Sequence, residues 1–239
     1  MKYIHIILIS IISLNSYSQI EGEATYLVVR NFNYDSLLRT ITDESKLKYI
    51  EHSRNIDKAI NNQRFKLRFK DNMSHMFLEE KLESDNKRDH LKFIRSIYPE
   101  NYFDLITKKN YYVKKSYNKN GYLVESDNCE EETIIHSSEN KTTINGFVCN
   151  KATVTYINDN EKYTYNVWFS QDINLPFGPF TYNGLPGLVI QVKEPDGTII
   201  QLKKLKLSNQ KNIEIPDNYD LISQADFDKM VKDMYNKMR

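Results

Sequence analysis

From Phe65 the sequence repeats with a period of two: Phe65, Leu67 and Phe69 stand between Arg64, Lys66, Arg68 and Lys70. Successive side chains of a strand point to opposite faces, so this run reads as a half-buried strand with one wet face. Asp71-Asn72 supplies a turn, and Met73–Glu79 returns as a second strand with Met73 and Met76 filling the core. Similar runs follow. Tyr102–Thr107, Tyr111–Tyr117 and Tyr122–Ser126 read as a meander broken at Lys109-Asn110 and Asn120-Gly121, with a further strand at Thr133–Ser137. Val148–Ile157 and Tyr163–Phe169 form a hairpin across Asn158–Glu161. Leu188–Lys193 and Thr198–Leu205 form another, across Glu194-Pro195-Asp196-Gly197. Seventeen Tyr and 11 Phe against only 7 Gly add to the β preference. The expected fold class is mainly β (α+β): an antiparallel, curved sheet or half-open barrel.

Two helices are expected beside the sheet. Residues 43–62 place Leu47, Ile50, Ile56 and Ile60 among charges. Near the C-terminus, Ser223 is an N-cap, Asp226 sits in the first turn, and Phe227, Met230, Val231, Met234 and Met238 form an amphipathic stripe. Core packing is the usual fate of such a stripe; a partner-binding or membrane-surface helix is the alternative.

Charge narrows the functional classes. The 33 Lys plus Arg nearly balance 32 Asp plus Glu, and mean hydropathy is −0.63. A near-neutral chain lacks the basic field of a nucleic-acid binder. The Glu130-Glu131-Glu132 run reads as a solvated loop.

Residues 1–18 read as a secretory signal peptide. Lys2 precedes an apolar run from Ile4 to Leu14, and Ser16-Tyr17-Ser18 offers a small-x-small cleavage site before Gln19. A retained anchor helix is the alternative; the apolar run is short for a span, so no transmembrane segment is expected after cleavage. Residues 19–239 then form a single β-rich domain, expected to be exported. Export puts Cys129 and Cys149 in an oxidising compartment, where pairing is favoured over two buried thiols. Such a loop contributes about 3 kcal/mol when closed. His52, His75, His90 and His136 are scattered, so neither a metal site nor a cofactor is expected.

The region from Leu175 to Val189 differs from the rest. Pro176, Gly178, Pro179, Gly184, Pro186 and Gly187 crowd into it, beside Phe177, Phe180, Tyr182 and Leu185. Each proline fixes its own φ and extends the preceding residue. Leu185-Pro186-Gly187-Leu188 suits a type II turn, with Gly187 supplying positive φ, and Gly184 permits a bend. The segment reads as a rigid packed loop feeding the Leu188 strand, or alternatively as an aromatic ligand lip. The binding candidates are Trp168, Phe180, Tyr182, Gly184, Leu185, Pro186 and Gly187.

Gly184-Leu185-Pro186-Gly187-Leu188-Val189 resembles the signature of the GLPGLI family of exported proteins. Gly146, Cys149 and Ala152, the Trp168-Phe169 pair, Pro176 and Gly178-Pro179 resemble the family's flanking pattern in order. The likeness spans residues 144–205, with a weaker one over Phe65–Leu78. Val189 replaces the usual Ile, and Glu161-Lys162 stands where many relatives carry Gly-Arg, so any role of that arginine is missing here. The resemblance implies a bacterial envelope protein of the periplasm or the outer-membrane surface, often encoded near outer-membrane receptors. It brings no catalytic residue to carry over.

Three functions are in play. The first is a non-catalytic envelope protein that binds a ligand or partner, associated with outer-membrane transport. The second is a structural or assembly subunit of a surface complex, docking through the C-terminal helix or a sheet edge. The third is an envelope hydrolase. No Gly-x-Ser-x-Gly, zinc-protease or phosphate-loop pattern supports it, and Asp172, Glu194 and Asp196 are expected as turn residues.

Overall fold

The computed structural model describes residues 20–79, 88–127, 136–158 and 161–237, and every strand among these described residues joins one open sheet. Residues 1–18, Cys129, Glu130–Glu132, Asp159, Asn160 and Met238, on which several sequence expectations rest, lie outside the described residues.

The elements in order are β1 (Gly22–Val29), α1 (Tyr34–Leu38), α2 (Glu44–Asn61), β2 (Phe65–Lys70), β3 (Met73–Leu78) and α3 (Arg88–Ile97). Then come β4 (Asn101–Asp104), β5 (Lys109–Lys114), β6 (Tyr122–Asp127), β7 (His136–Ile144), β8 (Phe147–Asn158) and β9 (Glu161–Ser170). The chain continues through β10 (Leu188–Lys193), β11 (Ile199–Leu207), β12 (Asp220–Ser223) and α4 (Gln224–Lys237). The 12-stranded sheet has the order β12-β6-β5-β4-β3-β2-β1-β11-β10-β9-β8-β7. It does not close, and the expected mainly β fold class with an open sheet holds.

The alternation at residues 65–70 produces β2 as read. Phe65, Leu67 and Phe69 are fully buried and pair with Leu78, Met76 and Ser74 of β3. Asp71, at φ 53, makes the tight turn between them. The inner sheet face forms the main core with Ala24, Tyr26 and Val28 of β1, Ile56 and Ile60 of α2, Ile94 of α3, and Leu175 and Phe177 of the loop before β10. The buried Tyr26 phenol donates to Val189 O at 2.6 Å, so this ring carries no unsatisfied group into the core. Asp43 caps α2 through Ser45 N (2.9 Å) and Lys46 N (3.3 Å), and its carboxyl is held below the usual range, first by the Ser45 side chain.

Three local expectations change. Not all pairs are antiparallel: β12 lies parallel to β6, with Leu221 beside Leu123. The chain reaches that edge by a strap, residues 208–219, across the outer face, where Ile213, Ile215 and Tyr219 pack on Tyr102, Val113 and Leu123. Secondly, Lys109-Asn110 is not a turn. β4 ends at Asp104, whose Oδ1 accepts from Ile106 N (2.8 Å), and Asn110 is buried inside β5. Thirdly, Asn120-Gly121 closes no two-residue hairpin. β5 stops at Lys114, and the loop beyond it receives β12. Gly121, at φ 79, accepts from Asp220 N, and the amides of Asn118 and Asn120 hold the Asp220 carboxylate at 2.8 and 3.2 Å.

At the C-terminus, Ser223 caps α4 as expected: Asp226 N donates to its Oγ at 3.1 Å. Phe227 is buried against the edges of Tyr117 and Tyr122, whereas Met234 and Tyr235 are exposed. No described helix is long and apolar enough to cross a membrane.

Candidate functional site

One end of β1 gathers side chains from four separate segments. Arg30, just past β1, is locked by Asn61 of α2: Arg30 N donates to Asn61 Oδ1 (2.7 Å) and Asn61 Nδ2 donates to Arg30 O (3.1 Å). One turn earlier, Asp57 lies on the buried face of α2 between Ile56 and Ile60. Its carboxylate takes Arg30 Nη1 at 3.0 Å and accepts the Tyr34 hydroxyl. A carboxylate at so buried a position must be paired and hydrogen-bonded, and both conditions are met here. Burial, followed by the bond to Asp57, pushes Tyr34 up to about 12.

The β10–β11 turn brings the other carboxylates. Glu194 N donates to Thr198 O at 2.9 Å and Gly197 N to Glu194 O at 3.1 Å, while Asp196 Oδ1 accepts from Thr198 N at 2.8 Å. Asp196 therefore does the turn work expected of it; its other oxygen faces Arg30 Nη2 at 3.8 Å. Glu194 does more. It is half-buried and accepts the Tyr182 hydroxyl at 2.5 Å. Its carboxyl is raised above the usual range, first by burial and then by the charge of Asp196, against the Tyr182 bond and Arg30. Tyr98 stands by, its phenol raised by burial and by Glu194. Outside this charged centre, Phe32 meets the Tyr34 ring edge-on at 5.0 Å and is 54% exposed, and Tyr49 is 71% exposed.

The Pro/Gly-rich loop holds Tyr182 in place. Asn183 is its clasp: Gly178 N donates to Asn183 Oδ1 (2.9 Å), and Asn183 Nδ2 donates to Phe180 O (2.8 Å) and Asn110 Oδ1 (3.3 Å). Phe177 stacks near Phe69 and Phe180 meets Phe65 and Tyr98, so the aromatic residues of the loop turn inward. The expected type II turn at 185–188 is absent. Gly187 N bonds Leu185 O at 2.7 Å, Leu188 N goes to Ile173 O at 3.1 Å, and Gly187 adopts φ 148. The anchoring of Leu188 to Ile173 removes the donor a type II turn would use.

The seven sequence candidates thus separate. Tyr182 belongs to the charged cluster and Phe180 borders it through Tyr98. Leu185 and Gly187 are buried in the loop, while Gly184 (φ 87) and Pro186 are exposed. Trp168 is half-buried on the outer sheet face, paired in register with Lys151 and Gln191, the Lys151 ammonium 5.6 Å from its ring. Arg30, Tyr34, Asp57 and Tyr98 were missed. Asp57 was detectable as an acid set inside an apolar stripe. Cys149 is a buried thiol pushed up by burial; its expected partner, Cys129, is outside the described residues. No group of three His, Cys, Asp or Glu among the described residues could hold a metal ion. Carboxylates, phenols and a guanidinium make a recognition set able to bind polar groups and store a proton.

Two crystal structures of PNGF-II, in space groups P21 and C2, are similar to this chain in fold. Their TM-scores are 0.55 and 0.54 at 12% and 13% identity. They match over 88% and 89% of this chain, which spans about a third of theirs (33% and 32%). No family model matches the chain. No curated protein matches it either.

Proposed function

We propose that the protein is an exported, non-catalytic cell-envelope protein that binds a ligand or a protein partner beside the outer-membrane transport machinery. The observation that carries the reading is the rim at the end of β1. Exposed Phe32, edge-on to Tyr34, and exposed Tyr49, whose phenol acts on that of Tyr34, stand beside a partly open Arg30–Asp57–Asp196 centre next to Tyr182 and Glu194. Exposed aromatic rings around fixed polar groups are the composition of binding surfaces. The resemblance of Gly184–Val189 and of the first 18 residues to exported sequences supports the location.

Capture of the tagged chain from its own envelope fraction, with mass spectrometry of small molecules and proteins, tests this. A Phe32→Ser, Tyr49→Ser variant runs beside it. A species held by the parent and lost by the variant is the expected result. An empty parent, or equal retention by both, overturns the rim as the binding site.

The exposed Met234 and Tyr235 favour a second reading, a structural subunit docking through α4. A partner retained by the intact chain but lost on removal of residues 224–239 selects it.

A further inference from the structure

A strand normally sends alternate side chains to opposite faces. In β11, Leu202 pairs with the buried Tyr26, so a regular strand would turn Lys203 outward and Lys204 into the core. Instead the register shifts between Thr25 and Tyr26 of β1. Lys204 pairs with Thr25 and Lys206 with Glu23, leaving Lys203 as the inserted residue. This bulge brings all three lysines to the surface, and all three are exposed.

The neighbouring strands extend the basic field. Lys204, Thr25 and Lys66 form one cross-strand row, and Lys206, Glu23 and Arg68 form the next. Glu23 takes Lys66 at 2.8 Å and Arg68 at 3.5 Å, and Glu79 takes Lys66 at 3.3 Å. Two carboxylates against five cations leave three positive charges on this face, in a chain whose net charge is +1. The Lys70–Glu21 pair at 3.2 Å closes one side, where Lys70 also holds the strap at Gln210 O. The acids of the strap, Glu214 and Asp217, lie beyond it, around Ile213, Ile215 and Tyr219 over β4–β6.

We propose that this outer face of β11, β1 and β2 docks on an anionic phospholipid surface. The cations are spread over three adjacent strands, about 4.8 Å apart, rather than gathered around one point. Cations spread in this way match a surface of many phosphates better than a single bound anion. Each lysine near such a surface strengthens binding about fivefold, and salt screens the attraction.

Vesicle flotation tests the proposal, with vesicles of phosphatidylcholine alone or mixed with phosphatidylglycerol. The chain from Gln19 onward is used, because it holds every described element and the apolar residues 4–14 would enter any bilayer. The expected result is flotation with the phosphatidylglycerol vesicles alone, weakening as salt rises. Lys203→Gln, Lys204→Gln, Lys206→Gln together should lose about 100-fold. Lys229→Gln, Lys232→Gln on α4 should lose nothing. Should the triple variant melt early, each single lysine variant should still lose about fivefold. Equal binding to both vesicles, retention by the triple variant, or binding to soluble heparin but not to vesicles overturns the proposal.

Discussion

The Tyr182 hydroxyl donates to Glu194 at 2.5 Å, tying the Pro/Gly-rich loop to the β10–β11 turn. It is a half-buried phenol–carboxyl bond, and the acid in it holds its proton more tightly than usual. The stability therefore depends on pH through this residue. Well below the ordinary Glu value of 4.5 both folded and unfolded chains are protonated, and Glu194 has no net effect. As pH rises from there through the raised folded value, the unfolded chain releases its proton first and folding loses stability. Glu194→Gln keeps an acceptor for Tyr182 and removes that cost. The variant should melt above the parent at about pH 7 and converge with it near pH 4. A parent that melts higher at neutral pH would show that Arg30 outweighs the burial.

Arg30 and Asp57 lie 3.0 Å apart, with the Asp57 side chain only 7% exposed. Arg30→Ala leaves a buried carboxylate with the Tyr34 hydroxyl and no cation, at a cost of about 3–5 kcal/mol. Adding Asp57→Asn to that variant should recover part of the loss. Urea denaturation of the two variants checks both values.

Gly187 adopts φ 148, and a Cβ there would sit 2.2 Å from Ser170 O. Gly197 adopts φ 85, but a Cβ would meet nothing within 4 Å. Gly187→Ala must move backbone and should cost about 3 kcal/mol or more, whereas Gly197→Ala costs about 1 kcal/mol of strain alone. Comparable midpoints for the two in denaturant would refute this account of Gly187.

Asn183 supplies both an acceptor and a donor to the loop and reaches the buried Asn110. Asn183→Ala should destabilise by about 2–3 kcal/mol, and amide exchange should speed at Gly178 before it does in β2.

Phe177 is 1% exposed between Phe69 and Phe103. Phe177→Ala opens a cavity and should cost about 3–5 kcal/mol with no change in the denaturant slope. An effect below 1 kcal/mol would mean that the loop is not part of the core.

The legibility of these features follows from their range. β2, β3 and α2 were readable because Phe65, Leu67, Phe69, Ile50, Ile56 and Ile60 repeat with the period of the element they build. The Ser223 cap was readable for the same local reason. β12 was not, since Asp220–Ser223 is four residues long and its partner, β6, lies far back in the chain. The site was half readable. Tyr182 and Glu194 lay inside or beside the unusual segment, but Arg30 and Asp57 meet only after β1 and α2 have packed, and no local pattern signals a long-range ion pair. The loop aromatics were ambiguous because a residue that packs and one that binds are chosen for the same apolar area.

The place of β1 has a temporal consequence. Gly22–Val29 is made before every other described strand, yet one of its two partners is β11, which follows nine of them. The β2–β6 meander can pair as it is synthesised, but Ala24, Tyr26 and Val28 stay half-covered until β11 arrives. Distant pairing of this kind slows folding, because the intervening loop must be closed before its contacts form. A chain that crosses a membrane unfolded would therefore show an unfinished central strand to its surroundings for most of its folding time, and a holding chaperone would find its binding sequence there.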